Sequence, residues 1–248
     1  MSVGPLIKTW RTRRRLSQLD LALEAGVSAR HLSFVETGRS RPSEQMLLHL
    51  AEHLEVPLRE RNRMLLAAGY APVYAQRPLD APELAPIRGA LDQLLTAHEP
   101  FPAVVVDRHS NLVAANAASR LLTEGVAPHL LEPPVNVLKC ALHPEGMAPR
   151  IENLAEWRAH LLGDLAGQRD QTGDEALAEL YDELAGYPGP EADSGAHPVF
   201  VPLKIDGLTF LSTRTTFGTA VDVTVSELAI EAFFPADEAT FRACSTRR

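Results

Sequence analysis

Over roughly the first 70 residues the apolar positions recur every three to four residues, as in Leu47, Leu50, Ala51 and Leu54, which is the spacing of one helix face. Ser17, Ser28 and Ser43 stand where such runs begin, and Gly26 and Gly38 stand where one run has to stop before the next. The pattern predicts five short helices. Pro72, Pro78, Pro82 and Pro86 then interrupt the chain within 69–86, each without the N–H that a helix interior requires, so this stretch reads as a linker. Between Glu83 and Glu99 the residues Leu84, Ile87, Leu91, Leu94 and Leu95 resume helical spacing and predict a helix docked on a second domain.

From Phe101 the period shortens. The run PAVVVDRHSNLVAAN contains two β-rich segments around a polar turn at Arg108 to Asn111, the pattern of a hairpin. Residues 117–187 return to helical spacing between prolines, most clearly over 154–167 and 174–186, and a loop rich in Pro, Gly and Asp is expected from Gly186 to Pro198. VFVPLKI and LTFLSTRTTF read as strands joined at Asp206-Gly207, a two-residue hairpin signal. The run ELAIEAFF fits a helix or a half-exposed strand, with Glu227 and Glu231 facing away from Leu228, Ile230 and Phe234. Taken as a strand, it completes the order β-β-helices-β-β-β, an α+β domain with an antiparallel sheet and helices on one face.

Charge divides the chain in the same place. Residues 1–77 carry 12 Lys+Arg against 7 Asp+Glu, whereas 78–248 carry 12 against 25, so a basic head precedes an acidic body. A polyanion draws clustered Arg and Lys through counterion release, which makes the head the nucleic-acid candidate. Two cysteines, Cys140 and Cys244, are too few for a disulfide framework and are not spaced as a zinc site. No uncharged run approaches the ~18–20 apolar residues of a membrane span and no apolar signal core follows the first arginines, so a cytoplasmic protein is expected.

Two motifs carry more than pattern. In LSQLDLALEAGVSARHLSFVETGRSRPSEQMLLHLAEHLEVP, Ala22 is small where two helices would cross, Gly26 suits the bend, and Leu32 and Val35 would lock a second helix in place. The run V-S-x-x-x-L-S-x-V-E-x-G-R-x-R-P-S from Val27 to Ser43, followed by L-x-x-L-A-x-x-L-x-V-P from Leu47 to Pro57, resembles the phage-repressor-like, or XRE, helix-turn-helix family over about the first 70 residues. That resemblance implies a double-stranded DNA operator as partner. Ala29, Arg30, Ser33 and Phe34, on the helix side away from Leu32 and Val35, become the expected base readers, while Gln18, Ser28, Thr37, Arg39 and Arg41 become phosphate contacts. The family's matching position for Glu36 implies an ion pair with Arg11.

Further on, Phe101 to Asn116, PPVNVLKCALHPEGMAPRIENLAEWRAHLL and the closing TTFGT, VDVT and ELAIEAFFPAD resemble the ligand-binding domain of MmyB-like transcription regulators over roughly 84–238. The resemblance implies a PAS-like fold with a five-stranded antiparallel sheet and an apolar cavity for a small, fatty-acid-like effector. Asn116, Asn136, His143, Arg150, Asn153 and Trp157 are polar or aromatic groups set in apolar helical surroundings and are the expected pocket residues, Arg150 being suited to a carboxylate. His143-Pro144-Glu145 has the H-x-E of zinc deaminases without their P-C-x-x-C, and phosphate loops and nucleophile elbows are missing, so no metal, no cofactor and no catalysis are expected.

The sequence therefore predicts an all-α helix-turn-helix domain over 1–70, a Pro-rich linker over 71–83 and an α+β ligand-binding domain over 84–248. The expected function is a homodimeric, sequence-specific transcription regulator answering to a small apolar effector, with no membrane partner. The alternative is a carboxy-terminal domain with a filled core that serves dimerisation or a partner protein.

Overall fold

The three predicted serines each begin a helix of the first unit. In the computed structural model, which describes residues 2–192 and 199–246, the hydroxyls of Ser17, Ser28 and Ser43 accept from the backbone N–H of Asp20, His31 and Met46. Five helices follow in order: α1 (Val3–Arg13), α2 (Gln18–Glu24), α3 (Ala29–Glu36), α4 (Glu44–His53) and α5 (Leu58–Ala67). Gly26 and Gly38 terminate α2 and α3 at φ of +61° and +74°, a region closed to most side chains. Ile7, Leu21, Leu32, Leu47, Leu50, Leu54 and Leu65 are fully buried together, so each helix contributes a stripe to one core.

This unit comprises Met1–Pro78 with 170–172 and 219–226. The proline-bearing stretch after α5 is anchored to it. Asn62 on α5 donates to Tyr74 O at 2.7 Å and accepts from Val73 N and Tyr74 N, and Arg77 pairs with Asp222 at 2.9 Å. Thus much of the segment expected to be a free connector is hydrogen-bonded within the first unit.

The second unit takes the rest of the chain. Its elements are α6 (Ala85–Ala97), β1 (Ala103–Val106), β2 (Leu112–Ala115), α7 (Arg120–Thr123), α8 (Val137–Leu142), α9 (Leu154–Thr172, apart from its end at 170–172), α10 (Glu175–Ala185), β3 (Leu203–Ile205) and β4 (Leu208–Thr216), then, after α11 (Val223–Ser226) of the first unit, β5 (Ala229–Pro235) and α12 (Glu238–Ser245). The five strands form one antiparallel sheet in the order β2-β1-β5-β4-β3. Asp206 and Gly207 turn between β3 and β4 with both φ angles positive, +50° and +75°, as the Asp-Gly signal requires. Residues 193–198 of the expected Gly186–Pro198 loop lie outside the described residues.

Three sequence expectations change here. The last run is a strand, but a central one between β1 and β4, and side chains from both of its faces enter apolar clusters. Leu228 and Ile230 pack with Ala103 and Val105 beneath α6, whereas Phe233 turns to the opposite side with Phe210 and the large helical core. Phe234, which alternation had placed in the core, is 43% exposed, and helices cover both faces of the sheet because α6 occupies the second.

Candidate nucleic-acid interface and effector cavity

The recognition-helix candidate α3 is held from behind. Leu32 and Val35 are buried, and Glu36, itself buried, accepts from Arg11 Nε and Nη2 at 2.7 and 2.9 Å and from the Gln18 amide at 2.6 Å. Burial alone raises the Glu36 pKa, yet the hydrogen bonds from Arg11 and Gln18 and the Arg11 charge outweigh it and leave the carboxyl below its ordinary range. Glu36 thereby ties α1, α2 and α3 together. Gln18, expected at a phosphate, has its amide committed to this cluster.

The other face of α3 is open. Arg30 is exposed and Ala29, Ser33 and Phe34 are half-buried, with the guanidinium carbons of Arg30 and Arg39 lying 5.4 and 6.0 Å from the Phe34 ring centre. Arg41 lies 4.7 Å from the Tyr70 ring and donates to Gly69 O at 3.3 Å. Among the described residues none of these three arginines pairs with a carboxylate, so the three charges remain available to an anion. Ser28 spends its oxygen on the α3 cap at 3.4 Å from His31 N, and the Thr37 hydroxyl donates to Ser33 O at 2.7 Å.

In the second unit a cavity of about 380 Å³ opens between the sheet and the helical layer. Val104, Leu112, Val135, Leu138, Met147 and Leu161 are among its apolar lining, and Phe233 and Glu231 reach it from β5. Its size falls in the range of small-molecule sites, and its lining is of the apolar kind they use. Burial raises the Glu231 pKa, against the lowering effect of Arg214 at 2.8 Å. Arg120, Ala117 and Thr123 border both this cavity and an outer cleft of about 620 Å³, and Arg120 is exposed with no carboxylate partner among the described residues.

Of the six pocket residues expected from sequence, Asn116 and Trp157 line this cavity. Asn116 is spent on structure: it donates to Leu95 O and Phe101 O and accepts from Ala103 N. Trp157 is buried, and its indole N–H has no hydrogen-bond partner among the described residues. The other four stand elsewhere. Asn136 caps α8 and donates to His109 O, Asn153 joins Pro202 O and Lys204 N, and Arg150 clamps Asp206 at 2.7 Å together with the carbonyls of Leu121 and Leu122. His143 packs against Tyr187 on another surface. Arg120 and Glu231 also border this cavity, and in the sequence each is only a charge beside an apolar run.

A tight helical unit that leaves Arg30, Arg39 and Arg41 without carboxylate partners among the described residues, followed by a sheet domain with an apolar cavity, has the build of a DNA-binding regulator carrying a ligand-binding domain. Comparison with known proteins agrees: residues 87–245 match the MmyB-like transcription regulator ligand binding domain, and residues 7–61 match the helix-turn-helix model. The chain belongs to the MmyB-like transcription regulator family. It is similar to uncharacterized HTH-type transcriptional regulators of Mycobacterium bovis (strain ATCC BAA-935 / AF2122/97) and Mycobacterium tuberculosis (strains CDC 1551 / Oshkosh and ATCC 25618 / H37Rv), each 36% identical over 110 residues. That stretch covers 44% of this chain and 39% of each relative. Among the described residues no helix is long and apolar enough to cross a membrane.

Proposed function

We propose that this cytoplasmic regulator binds an operator as a homodimer and that a carboxylate-bearing, fatty-acid-like effector, held in the 380 Å³ cavity, adjusts its affinity for DNA. The observation that carries this reading is the pairing of an apolar cavity with an unpaired arginine at its border. The acyl chain lies among Leu112, Leu138 and Leu161, and the head meets Arg120 at the side facing the outer cleft, away from Glu231. Each buried methylene contributes about 0.8 kcal/mol, so the tail supplies most of the affinity and Arg120 the orientation.

Calorimetry with saturated fatty acids tests both parts. Affinity is expected to fall about tenfold for every two methylenes removed below dodecanoate, and Arg120→Ala is expected to weaken dodecanoate about tenfold while leaving its methyl ester unaffected. Equal, weak binding at all chain lengths, with native mass spectrometry finding only the bare polypeptide, would favour the filled-core interaction module.

On the DNA side, α3 reads a half-site and the dimer reads two, about one helical turn apart. Arg30 reads a base edge, and Arg39 and Arg41 hold phosphates. Arg30→Ala is expected to lower discrimination between operator and unrelated duplex by about 1–3 kcal/mol, whereas Arg39→Ala should weaken both duplexes alike and flatten the salt dependence. Gel shifts over a salt series separate the two roles, and uniform loss for Arg30→Ala would reassign that residue to the backbone.

A further inference from the structure

The turn after α8 gathers three metal-binding side chains outside the effector cavity. His143 follows α8 directly and opens the turn His143-Pro144-Glu145-Gly146, while His129 stands in the 3-10 turn Pro128–Leu131. A ligand atom from each of His129, His143 and Glu145 lies within 4.8 Å of the other two. Nε2 of His129 is 3.9 Å from Oε2 of Glu145, and the two imidazole rings are 5.6 Å apart and nearly perpendicular. A tetrahedral ion with bonds of about 2.0–2.1 Å sets its ligand atoms ~3.3 Å apart, so side-chain rotations of an ångström or so close the set.

Backbone pairing makes this gathering more than a chance meeting of surface side chains. Ala127 N donates to Glu145 O at 2.9 Å and joins the two segments, while Gly146 N donates to His143 O and Met147 N to Cys140 O at 2.8 and 2.7 Å. A Cβ on residue 146 would lie 2.2 Å from Cys140 O, so glycine is required for the turn that presents His143 and Glu145 on one side. Behind the cluster, the His143 ring stands edge-on to Tyr187, whose hydroxyl donates to Glu183 at 2.7 Å, and Glu183 also takes Lys139 at 2.7 Å. This layer limits how the imidazole can turn.

We propose that His129, His143 and Glu145 bind a divalent transition-metal ion of the zinc class. Two imidazoles and one carboxylate suit Zn²⁺ or Ni²⁺, whereas Mg²⁺ and Ca²⁺ take oxygen ligands. Because His129 and Glu145 are exposed, water completes the coordination. Nδ1 of His143 accepts from Glu145 N at 3.0 Å, so ligation exchanges that hydrogen bond for a metal bond, and micromolar affinity is expected in place of the tighter binding of a preformed site. The ion would fasten the turn at His129 to the end of α8, whose Leu138 and Ala141 line the effector cavity.

The full-length, untagged chain is titrated with ZnCl2 by calorimetry, with MgCl2 as a second arm, and its thermal unfolding is followed in parallel. The expected result is one zinc per chain, a raised melting temperature and no heat with magnesium. His129→Ala and Glu145→Gln, both at exposed positions, should each weaken zinc at least about tenfold, the loss that removal of even an outer-sphere partner brings. His49 and His53, one helical turn apart on α4 with rings 4.7 Å from each other, are the competing zinc ligands. The double variant His49→Ala/His53→Ala should leave the affinity unchanged. The proposal is overturned if the folded chain takes no stoichiometric zinc, or if binding survives His129→Ala and vanishes in the α4 double variant.

Discussion

Glu36→Ala is expected to unfold the DNA-binding unit near physiological temperature. The substitution removes the acceptor for Arg11 Nε and Nη2 and for the Gln18 amide, leaving a guanidinium largely out of water with its charge unmatched. Breaking a buried pair from one side costs about 3–5 kcal/mol, and small domains possess only ~5–15 kcal/mol in total. Circular dichroism melts of the fragment 1–78 give the measurement; a loss under 1 kcal/mol would show that the three helices are fixed by their apolar contacts alone. The pH dependence has a definite sign. A carboxyl whose folded pKa is lowered contributes stability that is complete above its ordinary value of 4.5 and is lost as pH falls through the lowered one. The gap between the native fragment and Glu36→Gln should therefore be constant at neutral pH and shrink below about pH 4.5.

Gly4→Ala should cost nearly as much through a different physical route. A Cβ on residue 4 would stand 2.5 Å from both Val35 O and Glu36 O, so α1 and the end of α3 approach each other with no room for a methyl group. Those contacts are backbone and cannot yield by rotating a side chain. Overpacking of this kind costs about 1–3 kcal/mol or more, overriding the ~1 kcal/mol of helix propensity that alanine brings. Because the displaced element is α3, operator affinity should fall further than the melting temperature alone would explain. Gly89→Ala in α6, where nothing lies within 4 Å of the added carbon, is the control and should be neutral or slightly stabilising. Equal melting temperatures for the Gly4 and Gly89 variants would refute the close-approach account.

What could be read from the sequence follows the range of the forces involved. Ser17, Ser28, Ser43, Gly26, Gly38 and the Asp206-Gly207 turn were legible because each acts within three or four residues of itself, through a cap or a left-handed φ. Gly4 was not, because its glycine is needed for a contact with residues 31 and 32 positions away, and one apolar stripe resembles another. The cavity's lining was hidden for a related reason: Asn136, Arg150 and Asn153 stand in apolar stretches of the linear string, but their hydrogen bonds go to carbonyls and carboxylates brought in from other elements. Arg120 emerged only when the sheet and the helices enclosed a volume with Arg120 at its border. His129 joins His143 and Glu145 through the pairing of Ala127 with Glu145, which no local period announces.

The Asn62 side chain works as a buckle on the chain that leaves α5. Its amide closes on the backbone N–H and carbonyl of Tyr74 and on Val73 N, so the polypeptide does not become slack where its last helical turn ends. With Arg77 clasped by Asp222 a few residues further on, the polypeptide stays fastened to the first unit as far as Pro78, and the prolines of this stretch stiffen an anchored strap, not a loose cord.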